Sequence, residues 1–483
     1  MNLQPVLRFL GRLVLVLAAA QIFPLVCSIL YGEGNATVAF FASAVCSAAL
    51  GGVLIGLGRG DGQLYRREGI LIVVLGWVLA STLGALPYLL SGALGSPVDA
   101  LFESASGFTT TGSTVFLDIA GQERGILFWR SFTQWLGGMG IIVLFVALLP
   151  EIGPGANFLY KLEVPGPTAE GLSPRIHDTA AVLWRLYLGL TLVQTVVLML
   201  LGMGLYDALT HTFSTLSSGG FSPRNESVAA FEGTPAIALV IILFMVLAGG
   251  NFSLYYGIRQ GRGWNLLRDP EFRLYLTILG GASLAIAWQL LASGTYEAPG
   301  RAAVDSAFQV VSVMTTTGFA TADFEGWPAF SKVLLVGLMF VGGCAGSTAG
   351  SMKVMRMVIG LKSAMREVRY TFRPNTMAAV FVGGKAVPDP IVRSVAGFFV
   401  LFITCWGLGT ILLTLDGHSL LTSATAAIAT LGNVGPGLEM VGPVENFAFF
   451  SDWAKLVMIL LMWVGRLEVY AIAALFHLRF WKG

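Results

Sequence analysis

The sequence predicts an all-α integral membrane protein, an N-terminal two-helix hairpin followed by four copies of one helical unit set about a shared axis. Three observations point there. Of 483 residues, 55% are apolar and 12% charged, with a mean hydropathy of +0.76, whereas a soluble globular chain carries about 25% charged residues. The apolar residues fall in ten long runs rather than in amphipathic periods. A glycine-containing string of small and polar residues returns four times at similar intervals.

The first run, 13–30, follows a signal-like start, but a second run at 38–57 comes almost at once. The pair therefore reads as a retained helical hairpin rather than a cleaved leader. The remaining runs are 70–94, 125–149, 180–205, 234–256, 274–292, 331–350, 391–415 and 456–476. Each is about the 20 residues needed to cross a hydrocarbon core of roughly 30 Å. Ten spans put both termini on one side, and the positive-inside rule makes that side cytoplasmic. With charges near span ends assigned to the adjoining face, 22 of the 29 lysines and arginines then lie inside, while 16 of the 27 acids lie outside, leaving the outer face at −10. Such a field concentrates cations at an outer mouth, although loop acids also simply solubilise loops.

The four strings surround Gly112 (FESASGFTTTGSTVF), Gly220 (HTFSTLSSGGFSPRN), Gly318 (VVSVMTTTGFATADF) and Gly435 (AAIATLGNVGPGLEM), at separations of 108, 98 and 117 residues. A moderately apolar segment of about ten residues precedes each (98–107, 206–216, 304–314 and 419–430), and a long span flanks each unit on either side. These segments are too short to cross a bilayer, so they are surface loops or re-entrant helices. Non-helical backbone at membrane depth requires protein burial or a water-filled cavity. Four pseudo-symmetric units supply such a cavity: each repeat is helix, re-entrant pore helix, filter loop and helix around a central pore. The short helices then aim their negative dipole ends at the centre, which favours a cation. One TTTG alone is an ordinary turn. Four at matched positions can present rings of backbone carbonyls to a dehydrated alkali ion, with hydroxyls at the inner end, and glycine permits the backbone angles this requires. The candidate filter residues, binding an alkali cation, are Thr110, Thr111 and Gly112; Ser218, Gly219 and Gly220; Thr316, Thr317 and Gly318; and Asn433, Val434 and Gly435.

On these strings and spans the whole chain resembles the potassium-translocating subunits of the Trk/Ktr/HKT superfamily, specifically the bacterial Trk type with its added N-terminal hairpin. The resemblance implies potassium as substrate, no covalently bound cofactor, and a gated channel-like uptake pore of the bacterial inner membrane. Glycine at all four filter positions, including Gly112 where a serine accompanies sodium permeation, implies potassium preference. The fourth string is the weakest match, since Asn433 and Val434 replace hydroxyl residues. The resemblance also implies a homodimer and a cytoplasmic nucleotide-binding regulatory subunit. Lipid is the surrounding partner, and no nucleic acid is expected. The expected divisions are residues 1–68 for the hairpin, then pore repeats 69–177, 178–268, 269–385 and 386–483.

The eighth span is expected to break at 342–353, where four glycines and three hydroxyl residues fall in twelve positions, glycine costing about 1 kcal/mol in a helix interior. Close packing through the GxxxG pair Gly346 and Gly350 is the alternative. The resemblance makes this stretch an intramembrane gate, with Gly343, Gly346, Gly350 and Lys353 as gate residues. Arg466 lies near mid-membrane, at a cost of at least about 2.5 kcal/mol. It is expected either to line the pore as an electrostatic barrier, its role in the family, or to form a structural ion pair. Glu468, two residues on, faces elsewhere on a helix and is a poor partner.

Cys27, Cys46, Cys344 and Cys405 are scattered through apolar stretches and are expected to be core thiols. His177, His211, His418 and His477 show no metal-ligand spacing. No catalytic signature is present: Gly383, Gly384 and Lys385 make the nearest approach to a phosphate loop but lack its upstream glycine. An enzyme is not expected. A proton- or sodium-coupled potassium symporter is the alternative, and it would need a titratable residue along the path.

Overall fold

The structure, a computed structural model, describes residues 3–58, 65–140, 176–259, 264–373 and 379–481. Helices α1 (Leu3–Ala20), α2 (Ile22–Tyr31) and α3 (Gly34–Leu57) form the N-terminal hairpin. Glycines let the first and third of these touch. A Cβ on Gly11 would lie 2.8 Å from the Gly51 carbonyl, and one on Gly58 2.6 Å from that of Gln4.

Four units of one pattern follow. The first holds α4 (Arg66–Leu90), a short α5 (Pro97–Phe108) and α6 (Arg124–Gly138). The second holds α7 (Ile176–Leu200), short α8 (Leu205–Leu216), α9 (Pro235–Ala248), α10 (Phe252–Arg259) and α11 (Trp264–Arg268). The third holds α12 (Pro270–Ala292), short α13 (Pro299–Met314), α14 (Ala329–Val341) and α15 (Val354–Phe372). The fourth holds α16 (Asp389–Thr414), short α17 (Leu420–Leu431), α18 (Asp452–Arg466), α19 (Tyr470–Leu475) and α20 (Leu478–Trp481). Proline at the first turn and a capping oxygen start many of them. Ser96 accepts from Asp99 N ahead of Pro97, Asp269 from Phe272 N ahead of Pro270, and Ser419 and Ser451 cap α17 and α18. Each satisfies an amide that no preceding turn can reach.

Among the described residues, six helices are long and apolar enough to cross a membrane. The difference from ten runs has one cause: the apolar run after each short helix does not form one continuous helix. The first stops at Gly138, and the expected remainder of that run, to 149, lies outside the described residues. The second breaks after Ala248, the third after Val341, and the fourth after Arg466, where Glu468 and Val469 take left-handed φ values of 55° and 43°. The first three breaks fall at clustered glycines, Gly137, Gly138 and Gly140, then Gly249 and Gly250, then the stretch at 342–350, but only the third is expected from sequence.

Two further expectations are corrected. The chain is not wholly helical: β1 (Val380–Val382) and β2 (Lys385–Val387) pair antiparallel, with Val380 opposite Val387. Gly383 and Gly384, at φ of 57° and 79°, make the two-residue turn that such a hairpin requires, so this stretch is no phosphate loop. Cysteine burial is mixed: Cys27 and Cys344 are buried, Cys405 partly so, and Cys46 is exposed on α3. Among the described residues no group of three His, Cys, Asp or Glu could hold a metal.

Candidate functional site

Each short helix delivers its string with one set of backbone bonds. The amide just before the glycine (Thr111, Gly219, Thr317 and Val434) donates to a carbonyl of the last helical turn (Ser106, Ser214, Ser312 and Ala429), at 2.8, 2.9, 2.8 and 2.8 Å. The dihedrals repeat as closely. The residue two before the glycine is left-handed in all four, with φ of 57° at Thr110, 56° at Ser218, 57° at Thr316 and 53° at Asn433. The glycine is left-handed again, at 85°, 76°, 81° and 103° for Gly112, Gly220, Gly318 and Gly435. All four of the first set carry a Cβ, for which this region is costly by roughly 1 to 2 kcal/mol. The same strain in four places marks a backbone set by a common task. The fourth string, the weakest by sequence, has the same backbone as the others.

The strings close on one another in cyclic order. A Cβ on Gly112 would collide with the Gly219 carbonyl, on Gly220 with that of Thr317, and on Gly318 with that of Val434, while on Gly435 it would lie 2.9 Å from that of Thr111. The four units thus form a ring in which each glycine abuts the backbone of the next. Ser113 Oγ donates to the Gly435 carbonyl at 3.0 Å across the closing seam, and Asn433 Nδ2 donates to Thr111 Oγ1 at 2.9 Å. The twelve candidate residues named from sequence are therefore brought together.

Most of their carbonyls, though not those of Gly219 and Gly435, lack protein donors among the described residues. Thr110, Thr111, Ser218, Thr316, Thr317, Asn433 and Val434 are at most 1% exposed. Among the described residues none of their carbonyls accepts a hydrogen bond. The carbonyl of Gly219 is bound by Gln134 Nε2 at 2.7 Å. Nearly all buried backbone acceptors in proteins are paired, and an unpaired one costs about 1 to 3 kcal/mol. Seven in one ring call for electron-poor partners, a cation or the hydrogens of water. On one side of the ring a cavity of about 200 Å³ is lined by the four glycines together with Arg130, Arg224 and Glu445. Its wall is not acid-rich, and Arg130, counted among outer charges, is buried against Glu103 at 2.7 Å.

On the other side lies the break at 342–353. Its glycines are functional in packing: Gly342 and Gly346 take φ of 74° and 73°, and a Cβ on Gly343 would come within 2.8 Å of Ala349 Cβ and of the Gly249 carbonyl. Gly346 and Gly350 lie in this loop rather than on a helix, so no GxxxG helix seam forms. The loop docks into the break of the second unit, Cys344 N donating to Gly249 O at 2.8 Å. It also reaches the ring. Thr348 Oγ1 shares a hydrogen with Ser218 Oγ at 2.8 Å, Gly350 N donates to Thr316 Oγ1 at 2.7 Å, and Gly350 sits against the Gly432 carbonyl. Lys353, buried at φ 72°, turns its ammonium back onto the Ala349 carbonyl.

Arg466 completes the contact. Its guanidinium donates to Thr110 Oγ1 at 3.2 Å, to the Thr348 carbonyl at 3.0 Å, and to the last carbonyls of α6, Gly137 and Gly138, at 2.6 and 2.8 Å. Glu468 is paired instead with Arg356. Hydroxyls of Thr110, Ser218 and Thr316 are thus occupied by Arg466 and the loop. Sequence reasoning missed Glu271, which is 3% exposed and lies at the start of α12. One of its oxygens accepts both Ala345 N at 2.7 Å and Met355 N at 3.0 Å, holding the two ends of the loop together. An acid in the first turn after a proline cap reads as a helix-dipole partner, so nothing in its position foretold the loop.

Comparison with known proteins places the chain in a family. The profile of the TrkH family, described as cation transport protein, matches residues 36–481. The chain is 37% identical over 486 residues to the Trk system potassium uptake protein TrkH of Salmonella typhimurium, covering all of both chains. It is 36% identical to the Trk system potassium uptake protein TrkG of Escherichia coli, covering 98% of this chain and 97% of that one. The crystal structure of the potassium transporter TrkH from Vibrio parahaemolyticus superposes with a TM-score of 0.89 at 36% identity, covering all of both chains. This chain belongs to the TrkH family of cation transport proteins.

Proposed function

We propose that the chain carries potassium into bacteria across the inner membrane, through a gated pore whose selectivity filter is the ring of four strings. The observation that carries this reading is the set of seven buried carbonyls without protein donors among the described residues, arranged in a closed ring at the negative ends of four short helices. Oxygens so placed replace the water shell of an alkali cation. The names of the similar proteins, potassium uptake proteins of the Trk system, support the choice of ion. In this reading residues 1–68 are a hairpin and 69–177, 178–268, 269–385 and 386–483 are four pore repeats. The cavity over the glycines is the extracellular mouth, and both termini are cytoplasmic. The loop at 342–353, with Gly343, Gly346, Gly350 and Lys353, is the gate beneath the filter, and Arg466 adds a positive barrier there. A homodimer and a cytoplasmic nucleotide-binding subunit complete the proposed system.

A coupled symporter is the second reading. It is favoured by one observation, the buried carboxylate of Glu271 in contact with the loop. Current recording from the purified chain in bilayers under a potassium gradient, with no other ion gradient, separates the two. A current reversing at the potassium equilibrium potential is expected of the channel-like pore. No current until a proton or sodium gradient is added would favour symport.

A further inference from the structure

Behind the ring, each unit ties the segment leaving its string back to its own short helix. In the second unit His211 and Ser222 Oγ are 3.1 Å apart, in the third Gln309 Nε2 donates to Ala322 O at 3.3 Å, and in the fourth Thr425 Oγ1 accepts Leu438 N at 3.1 Å. His211 and Gln309 stand nine residues before their glycines and Thr425 ten before. In the first unit the residue nine before is Glu103, and there the tie is ionic. Glu103 accepts Thr114 Oγ1 at 3.0 Å and Val115 N at 3.0 Å, and pairs with Arg130 Nε at 2.7 Å, the two side chains being 0% and 1% exposed. Arg130 then reaches across units. It donates to Ser222 O, two residues past Gly220, at 3.1 Å, and to Thr114 Oγ1 at 3.2 Å, with its guanidinium 4.1 Å from the Phe221 ring centroid. Thr114 is tied to the fourth unit as well, its carbonyl accepting Phe447 N at 2.8 Å.

We propose that Glu103, Arg130 and Thr114 are positioning residues for ion discrimination, fixing the spacing between the first and second strings from outside the ring. The geometry demands a fork. Arginine presents several donors in one rigid plane, and here the plane spans two units that share no covalent connection near the ring. Burial of the pair is costly unless it is well hydrogen-bonded, and here both carboxylate oxygens and all three guanidinium nitrogens have a partner. Because each glycine abuts the backbone of the next unit, a shift of Ser222 carries Gly220 and Gly219 with it. Gly219 is the carbonyl that faces Gly112, so slack in the brace becomes slack in the ring.

The proposal rests on reading the strings as the filter, and the test separates the two. Thr114→Val and Arg130→Lys are made in the full chain, and the potassium-to-sodium permeability ratio and melting temperature are measured in parallel with Gly112→Ser. The ratio should fall about tenfold in each variant, a difference of about 1.4 kcal/mol. The Thr114→Val and Arg130→Lys double should fall no further than the larger single, because the residues act as one unit. Should Arg130→Lys fail to fold, Thr114→Val, which leaves the ion pair in place, decides alone. An unchanged ratio in a folded variant, with Gly112→Ser altered, overturns the brace and leaves the filter. An unchanged ratio in all three overturns the filter itself.

Discussion

Serine at the ring glycines should erode discrimination between potassium and sodium in an order set by the cyclic packing. At each glycine φ is positive, between 76° and 103°, so any L side chain meets a backbone penalty of about 1 to 2 kcal/mol. The steric part differs. At Gly112 and Gly220 the new Cβ would be driven deeply into the carbonyl of Gly219 or Thr317, at Gly318 somewhat less into that of Val434, and at Gly435 it would stand 2.9 Å from that of Thr111. All four substitutions must displace a neighbouring carbonyl, the first two by the most and the last by the least. Of 1.4 kcal/mol per tenfold in an equilibrium, the backbone penalty alone is worth about tenfold. Gly220→Ser and Gly112→Ser should therefore lower the potassium-to-sodium ratio by more than tenfold, and Gly435→Ser by the least. Competition of sodium against rubidium uptake in proteoliposomes reads the order. Equal ratios at Gly112→Ser and wild type, or a larger loss at Gly435 than at Gly220, would refute ring closure as the source of selectivity.

Deleting residues 346–350 should raise basal rubidium flux, and Thr348→Val should do so more mildly by removing the bond to Ser218; lost flux in a folded, inserted protein would point to a scaffold rather than a gate. A charge on the axis repels a potassium ion by about 4 kcal/mol at 4 Å when the effective dielectric is ~20, so Arg466→Gln should increase uptake while Arg466→Lys keeps most of the barrier. Neutral variants with lowered melting temperature and no gain in uptake would take Arg466 out of the path. Glu271→Ala should free both ends of the loop and raise flux, whereas Glu271→Gln, whose amide oxygen still accepts from Ala345 and Met355, should stay near wild type; equal effects of the two would assign the role to charge instead.

Hydropathy located the hairpin and the long helix that opens each unit, because burial in lipid writes long apolar runs into the chain, but not α11, α15 or α20, which lie outside every apolar run. Repetition located the ring, because four backbones doing one task need the same small residues at the same place. What sequence could not reveal was where runs break without glycine. The break after Arg466 depends on left-handed Glu468 and Val469, residues with no preference for that region. Asn433 shares the left-handed backbone of Thr110 and Thr316, a region asparagine enters more readily than threonine, and its side chain closes the seam onto Thr111. Glu103 and Arg130 are 27 positions apart, and the outer-face tally counted them as two independent charges. Only folding makes them one buried pair.

The most direct measurement is of the ion itself. Crystals grown in thallium or rubidium salts and measured at the absorption edge should show anomalous density on the axis of the ring, enclosed by the string carbonyls of residues 110–112, 218–220, 316–318 and 433–435. Gly112→Ser should weaken or displace it. Density confined to the outer cavity or beside Glu271, with none on the ring axis in the wild-type chain, would contradict the assignment of the four strings as the filter.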